Sequence, residues 1–143
     1  MNNTFRIIDA NLNRSREGLR VCEDVARFVL NSHEISNRLK KVRHGISGIA
    51  KKYYAENTGM VSSARNSKED VGRISKIQSE LARLDIPDIF AANMERAKES
   101  LRVLEEFSKL NNKKESLKFA ALRFEVYDIE KRAFKKIQAM RHH

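Results

Sequence analysis

Residues 11–24 read NLNRSREGLRVCED, and residues 93–106 read NMERAKESLRVLEE, so one pattern occurs twice, 82 positions apart. The two copies share Asn, Arg and Glu as well as Leu and Val. A repeat kept only for packing needs its apolar positions alone, whereas here polar residues recur with them. The sequence therefore predicts a duplicated helical architecture in which a polar feature is specified twice.

A helical arrangement indicates where these polar groups point, since residues i, i+3, i+4 and i+7 share one face. Apolar residues of the first copy gather around Asn11, with Arg14 beside them, so we expect both side chains inside the apolar arc. Glu17 falls at the edge of the arc. The charged residues expected outside the arc are Arg20, Glu23 and Arg27. In the second copy, Asn93 and Arg96 are expected to point inward, with Glu99 at the edge.

A guanidinium group inside an apolar arc requires an anionic partner, because an unpaired buried charge costs several kcal/mol or more. One interpretation is an internal ion pair that joins the two halves, with Arg14 bonded to Glu17 or Glu99 and Arg96 as its mirror image. The other is a polar pocket between the repeat helices that binds a small anionic ligand. The two arrangements are compatible with each other.

Composition bounds the fold class. The chain has 143 residues, 41% of them hydrophobic, with one Pro and five Gly. These values predict one all-α domain over residues 1–143, with one modest core. No apolar run of 18 residues is present and no secretion signal opens the chain, so neither a membrane contact nor export is expected. The lone Cys22 is typical of a small core residue in a reducing, cytoplasmic compartment.

The charge balance is strongly basic, with a formal net charge of +10. Polyanions are therefore conceivable partners. However, the basic residues are spread over every segment, and aromatics amount to only 7%. Nucleic-acid binding is not expected, because no basic run is interleaved with stacking aromatic residues. A small phosphorylated molecule would also be attracted by this field.

Hydrophobic periodicity predicts a bundle of four to five helices. Their expected bounds are about 3–30, 34–54, 74–84, 87–110 and 114–140. An irregular loop is predicted at about 55–73, where turn-forming residues are frequent. This loop is a candidate lid over phosphate and metal. A weaker match relates Leu39, Val42, Arg43 and Ile46 to Phe119, Leu122, Arg123 and Val126. The duplicated unit is therefore a candidate helix hairpin, with halves at about 5–54 and 87–140.

The last helix is apolar nearly all round, which predicts either a central position or contact with a second subunit of a homodimer.

Several motifs together resemble one small family. They are residues 6–28 (RIIDANLNRSREGLRVCEDVARF), Arg43-His44, residues 70–72 (DVG) and the second copy at 93–106. This pattern is similar to that of the hydroxymethylpyrimidine-phosphate kinases of thiamine biosynthesis, which also occur fused to the N-terminus of thiamine-phosphate synthase. The resemblance covers nearly the whole chain. No synthase sequence follows here, so the stand-alone form is expected, with the synthase as its pathway neighbour.

The resemblance implies transfer of the ATP γ-phosphoryl group to 4-amino-5-hydroxymethyl-2-methylpyrimidine phosphate, which gives the diphosphate. It also implies Mg²⁺ as cofactor and ATP as co-substrate. Departures from the family pattern are small: Cys22 stands where Leu is expected, and Ser15 and Ser100 stand where Ala is common. None of them removes an ionisable group.

Phosphoryl transfer needs positive charge around two phosphate-bearing reactants, carboxylates for Mg²⁺ and exclusion of water. The chain has no Walker A sequence, so the site must be assembled otherwise. As catalytic residues we predict Arg14, Arg96, Glu17 and Glu99. As substrate and phosphate ligands we predict Asn11, Asn93, Arg43, His44 and Arg65. As metal ligands we predict Asp70, Glu17 and Glu99.

Two other classes of function remain open at the sequence level. Arginines that project from long helices into a shared pocket also describe all-α chorismate mutases, which use no ATP. A non-catalytic helical module that binds a phosphorylated ligand or nucleic acid is the third hypothesis, and its main support is the positive charge.

Overall fold

The computed structural model describes residues 2–60 and 85–141, and the regular elements within these ranges are all helical. Helix α1 spans Asn2–Asp24 and continues as a π-helical turn at Val25–Val29. Helix α2 spans His33–Glu56, α3 spans Ile86–Ser108, and α4 spans Lys113–Arg141. The prediction of an all-α bundle is confirmed. The predicted helix at 74–84, and residues 61–73 of the loop predicted at about 55–73, lie outside the described residues. Helix α2 continues to Glu56, slightly beyond the expected start of that loop.

N-capping side chains are found at the starts of α2, α3 and α4. Ser32 starts α2, where its side chain accepts a hydrogen bond from the Ile35 amide at 3.2 Å. Asp85 caps α3 by accepting from the Asp88 amide at 2.8 Å, and Asn112 accepts from the Glu115 amide at 3.1 Å at the start of α4. Such caps satisfy amide groups that have no partner within the first turn of a helix.

The four helices form a ring in which each packs on two neighbours. The hairpins α1–α2 and α3–α4 form two sides, α1–α3 forms the third, and the less extensive α2–α4 contact forms the fourth. One core fills the centre. Its largest fully buried side chains include Phe5, Leu12, Leu19, Ile46, Phe90, Met94, Leu101 and Phe119.

The duplication predicted from sequence is visible in the packing. Buried positions of α1 recur 82 residues later in α3, as for Asn11 and Asn93, or Leu19 and Leu101. Between α2 and α4 the offset is 80, which relates the caps Ser32 and Asn112. The repeated unit is therefore a helix hairpin.

The offset falls from 82 to 80, so the first hairpin has two more residues than the second between equivalent positions of its two helices, and its chain takes a different path there. Its π-helical turn at Val25–Val29 holds more residues per turn than an α-helix, and Asn31 follows it with φ of 51°. This left-handed conformation is one that Asn tolerates better than most residues. With this path, α2 occupies a position in the first hairpin equivalent to that of α4 in the second.

Each hairpin carries an equivalent ion pair. In the first, both carboxylate oxygens of Glu23 accept from Arg43, with the Nη2–Oε1 distance at 3.0 Å. In the second, Arg123 Nε donates to Glu105 Oε1 at 3.1 Å. Glu23 is buried, so the expectation that it lies outside the apolar arc is wrong. Its burial is compensated by Arg43, and hydrogen bonding to Glu23 raises the pKa of that guanidinium.

Helix α4 is peripheral rather than central, because one of its faces is exposed. Leu117, Phe124, Tyr127 and Phe134 stand on that face. Basic groups cover part of it: Arg123 lies 4.9 Å from the Phe124 ring centroid, and Lys98 lies 4.8 Å from that of Tyr127. Contact with a second subunit stays a prediction.

Helices α1 and α3 approach each other closely at Gly18. A Cβ atom added there would lie 2.9 Å from the Asn93 carbonyl oxygen, a backbone atom that cannot move without shifting α3. Gly48 in α2 differs, because a Cβ atom there would meet nothing within 4 Å. The two helical glycines form a matched pair, one required by packing and one not.

We therefore expect Gly18→Ala to lower the free energy of unfolding by about 1–3 kcal/mol, because overpacking outweighs the better helix propensity of Ala. Gly48→Ala should leave stability unchanged or raise it by up to about 1 kcal/mol. Urea unfolding followed by circular dichroism measures both. Equal effects of the two substitutions would contradict the close helix contact.

For the hairpin ion pair, Glu23→Gln should lower the free energy of unfolding by about 1–3 kcal/mol, since it leaves a half-buried guanidinium with a weakened partner. The matched control is Glu34→Gln. The Glu34 carboxylate lies 3.5 Å from Arg132 with both side chains exposed, so its loss should cost less than about 0.5 kcal/mol. A similar cost for both variants in the same unfolding assay would refute a structural role for the Glu23–Arg43 pair.

Candidate functional site

The buried face of α1 is rotated from the one expected. Its buried residues are Phe5, Ile8, Asp9, Asn11, Leu12, Ser15, Gly18, Leu19, Cys22 and Glu23, whose centre lies about 70° round the helix from Asn11. Asn11 is therefore at the edge of this face and is still buried, whereas Arg14 is exposed. The expectation that Arg14 lies inside the apolar arc is wrong, because the apolar residues on its side, Val21 and Val25, are only half-buried.

The two repeated asparagines have the same environment. Asn11 Nδ2 donates to the Ile7 carbonyl at 2.8 Å, and Asn93 Nδ2 donates to the Ile89 carbonyl at 2.8 Å. Each amide bonds to its own helix one turn back, and neither Oδ1 atom forms a hydrogen bond with a described residue. The expected inward position of both asparagines is confirmed, and these bonds fix the orientation of both side chains.

Contacts between α1 and α3 show that the two helices run antiparallel. Gly18 meets the Asn93 carbonyl, and one turn further along α1 the Cys22 Sγ lies 3.6 Å from the Phe90 carbonyl oxygen. One turn in the other direction, this register places Arg14 level with residues 96 and 97 of α3. We call the stretch where residues 11–18 face residues 93–100 the repeat seam.

Both repeat arginines belong to the repeat seam. The Arg96 Cβ lies 3.7 Å from the Cβ position of Gly18, and its side chain is half-buried. Arg14 is exposed on the outer rim, four residues before Gly18, and forms no ion pair with any described residue. An internal pair of Arg14 with Glu17 or Glu99 is therefore absent from the described part of the chain. The arginines that join helices within each hairpin are Arg43 and Arg123 instead.

Glu17 and Glu99 were predicted as catalytic residues and metal ligands. Both are exposed, and they lie one turn after Arg14 and Arg96 respectively. Residues 2–60 and 85–141 contain no group of three or more His, Cys, Asp or Glu side chains arranged to hold a metal ion. Asp70, the third predicted metal ligand, and Arg65, a predicted phosphate ligand, lie outside the described residues.

Two other predicted phosphate ligands do not join the repeat seam. Arg43 bonds Glu23, which is nine residues from Arg14 and therefore on the opposite side of α1. His44 is exposed and lies on α2, where it lines a groove between α2 and α4. The structure thus separates Arg43 and His44 from the repeat arginines, and a single cluster of all of them is not formed.

The α2–α4 groove encloses about 810 Å³. Its apolar walls are Val42, Ile49, Ala121 and Leu122, and Gly45 and Gly48 also line it. Its charged and titratable side chains are Arg38, Lys41, His44, Lys52, Glu115, Lys118 and Glu125. This groove was not predicted from the sequence. The sequence feature that could have indicated it is the pair Gly45 and Gly48 within one helix, with Lys41 and Lys52 one turn away on either side.

The buried position of Asp9 was not anticipated, whereas the core position predicted for Cys22 is confirmed. Asp9 is completely buried and accepts a hydrogen bond from the Tyr54 hydroxyl, which links α1 to α2. Cys22 is also completely buried, and burial raises the pKa of its thiol, with the Glu130 and Glu23 carboxylates adding to the shift. The thiol therefore stays protonated and unreactive in the folded protein.

Comparison with known proteins places this architecture in a family. The model of the ThiD2 family matches residues 6–132, which include both copies of the repeat. The chain belongs to the ThiD2 family.

Curated relatives of this ThiD2 chain are named thiamine-phosphate synthase. That of Prochlorococcus marinus (strain AS9601) is 39% identical over 126 residues, which are 88% of this chain and 34% of the relative. That of Synechococcus sp. (strain CC9605) is 38% identical over 87% of this chain and 34% of its own length. That of Rhodopirellula baltica is 34% identical over 86% of this chain and 32% of its own length.

The ThiD2 chain thus spans about a third of the length of these relatives. No solved structure matches the chain. Among the described residues, none of the helices is both long and apolar enough to cross a membrane.

The buried thiol gives a direct test of the core. Cys22 is the one cysteine of the chain, so a thiol reagent reports on it alone. We expect the native protein to react with Ellman's reagent at least about 100-fold more slowly than the protein unfolded in guanidinium, because the thiolate is the reactive form. Rapid reaction of the native protein at pH 8 would show that the α1–α3 contact opens or is looser than described.

Proposed function

We propose that this ThiD2 chain transfers the γ-phosphoryl group of ATP to 4-amino-5-hydroxymethyl-2-methylpyrimidine phosphate, in thiamine biosynthesis. Family membership and the names of the relatives support the thiamine context. The observation that carries the proposal is the repeat seam, where two copies of Asn-x-x-Arg-x-x-Glu meet at one helix crossing. Two equivalent sets of anion-binding groups suit a reaction between two phosphate-bearing molecules.

In the proposed reaction, an oxygen of the pyrimidine phosphate forms a bond to the γ-phosphorus of ATP, and the bond to the bridging oxygen breaks to release ADP. The acceptor is already an anion, so no strong general base is required. This chemistry depends on positioning and charge neutralisation, which arginine supplies through its fixed fork of N–H donors. Arg14 and Arg96 are placed to hold the two reactants, and the asparagine Oδ1 atoms can accept from the amino group of the pyrimidine.

The exposed carboxylates Glu17 and Glu99 fit a Mg²⁺ ion that arrives with ATP. Mg²⁺ keeps several waters and commonly uses one or two protein carboxylates together with substrate phosphates, so it does not need a closed cluster of protein ligands. When bound, the ion would neutralise charge on the phosphate oxygens. Glu17 and Glu99 lie at the ends of the repeat seam, where either can orient bound waters.

The first experiment is turnover of the purified protein with Mg·ATP and the pyrimidine phosphate, followed by ADP release and product mass. We expect the diphosphate from the monophosphate, and none from the free alcohol. Conversion of chorismate without ATP would support a mutase. Tight, salt-dependent binding of nucleic acid with no turnover of either substrate would support a binding module.

The site itself is tested by Arg14→Ala. Because Arg14 is exposed and forms no ion pair within the described chain, stability should change by less than about 0.5 kcal/mol. We expect kcat/KM to fall by about 10²–10⁴-fold, the range seen when a charge-stabilising donor is removed from a phosphoryl or acyl transition state.

The matched control is Arg20→Ala, which removes an exposed arginine from another side of the same helix. Its kcat/KM should stay within about twofold of the unmodified protein. Full activity of Arg14→Ala would place the reaction away from the repeat seam. Equal losses in both variants would indicate only a general electrostatic effect.

A further inference from the structure

We propose that the α2–α4 groove is a second binding site, separate from the repeat seam, for an organic phosphate that carries a flat ring. The ring would lie on the glycine surface of α2, and the phosphate would contact the lysines at the rim. Three observations carry this inference: a helical glycine that no contact among residues 2–60 and 85–141 explains, a set of lysines without an ion pair in the same ranges, and apolar walls of suitable size.

Gly48 lies in the middle of α2, where Gly costs about 1 kcal/mol relative to Ala. Within the described chain nothing compensates for that cost. A Cβ atom at Gly48 would meet nothing within 4 Å, and no described glycine has positive φ. Neither helix packing nor backbone geometry therefore requires Gly at this position. The missing side chain leaves open space above the backbone, and that space faces the groove.

The cations at the groove differ in their availability. Arg38 is engaged, since it bonds both Glu125 and Asp128, and these hydrogen bonds raise its pKa. Lys41, Lys52 and Lys118 form no ion pair with any described residue. Glu115 and Glu125 also line the groove, and Glu125 is bonded to Arg38, so the cations of the groove outnumber its carboxylates. A bound anion would neutralise this excess of positive charge.

The remaining surface suits the ring of the ligand. Val42, Ile49 and Leu122 supply apolar contact, and Gly45 is held close to Leu122, because a Cβ atom there would lie 3.3 Å from the Leu122 Cδ2 atom. The volume of about 810 Å³ lies within the usual range for small-molecule sites, which is about 300–1,000 Å³. An apolar surface with a few convergent cations at its rim is the pattern expected for a phosphorylated ring compound.

The two sites cannot share one ligand molecule. In the ring of four helices, α1–α3 and α2–α4 are opposite sides with the core between them. Arg14 stands on the outer rim of the first side, and Lys118 lines the second. A ligand in the groove is therefore separate from any reactant at the repeat seam, and this proposal does not depend on the proposed function.

Glycine-selective ¹⁵N labelling can test both sites in one spectrum, because the chain has only five glycines. Gly45 and Gly48 report on the groove, and Gly18 reports on the repeat seam. The probes are AMP, UMP and flavin mononucleotide, with adenosine and inorganic phosphate as partial ligands. We expect at least one of the three nucleotides to shift Gly45 and Gly48 saturably below 1 mM, with adenosine and phosphate at least about tenfold weaker.

Two variants test the named contacts. Gly48→Leu fills the open space and should abolish the ligand-induced shift of Gly45, while the unfolding midpoint stays the same or rises. The double variant Lys52→Ala/Lys118→Ala should weaken binding at least about tenfold. Its matched control is Lys40→Ala/Lys51→Ala, which removes two exposed lysines of α2 outside the groove and should change affinity less than about twofold.

Three results would overturn the proposal. One is the absence of any saturable shift of Gly45 and Gly48 with all three nucleotides. Another is a shift confined to Gly18, which would assign the nucleotide to the repeat seam alone. The third is equal binding of inorganic phosphate and nucleotide with no effect of Gly48→Leu, which would show only general attraction to basic charge.

Discussion

The contact between Gly18 of α1 and the Asn93 carbonyl of α3 brings two helix backbones together, and the positions of the other elements depend on it. Small buried residues on both helices, Ser15 and Ala97, allow the same approach one turn away. Because the helices meet so closely, the longer side chains beside the contact must turn outward. Arg14 is consequently displaced to the rim, while the shorter Asn11 stays buried and bonds to its own helix.

The same contact accounts for the less extensive packing of the described helices on the opposite side of the bundle. Each hairpin is held as a unit by its own ion pair, Glu23 with Arg43 or Glu105 with Arg123. Helices α1 and α3 pack closely, and α2 and α4 lie on the other side of the common core, each held against its hairpin partner. Helices α2 and α4 therefore contact each other less extensively. The α2–α4 groove is thus a geometric consequence of tight packing at the repeat seam.

Much of the fold could be predicted from the sequence, because helix periodicity, caps and the repeat are local signals. Which face of α1 is buried could not be predicted from the sequence. Val21 and Val25 are apolar but only half-buried, whereas Ser15 and Glu23 are polar and buried. A helical wheel assigns burial by polarity and therefore placed the centre of the face too close to Arg14. Glu23 can be buried because it pairs with Arg43, which lies on the next helix. This pairing can be recognised only by comparing the first hairpin with the equivalent Glu105–Arg123 pair of the second.

The candidate sites differ in how they use the duplication. At the repeat seam, Asn, Arg and Glu are kept in both copies, so two similar chemical groups can be held on either side of one helix crossing. In the α2–α4 groove the equivalent positions have diverged: Gly48 corresponds to Asp128, and Lys41 corresponds to Ala121. Helix α2 therefore supplies the open backbone and most of the cations, while α4 supplies apolar and acidic groups. A symmetric seam suits two phosphate-bearing reactants, whereas an asymmetric groove suits one ligand with a charged end and an apolar end.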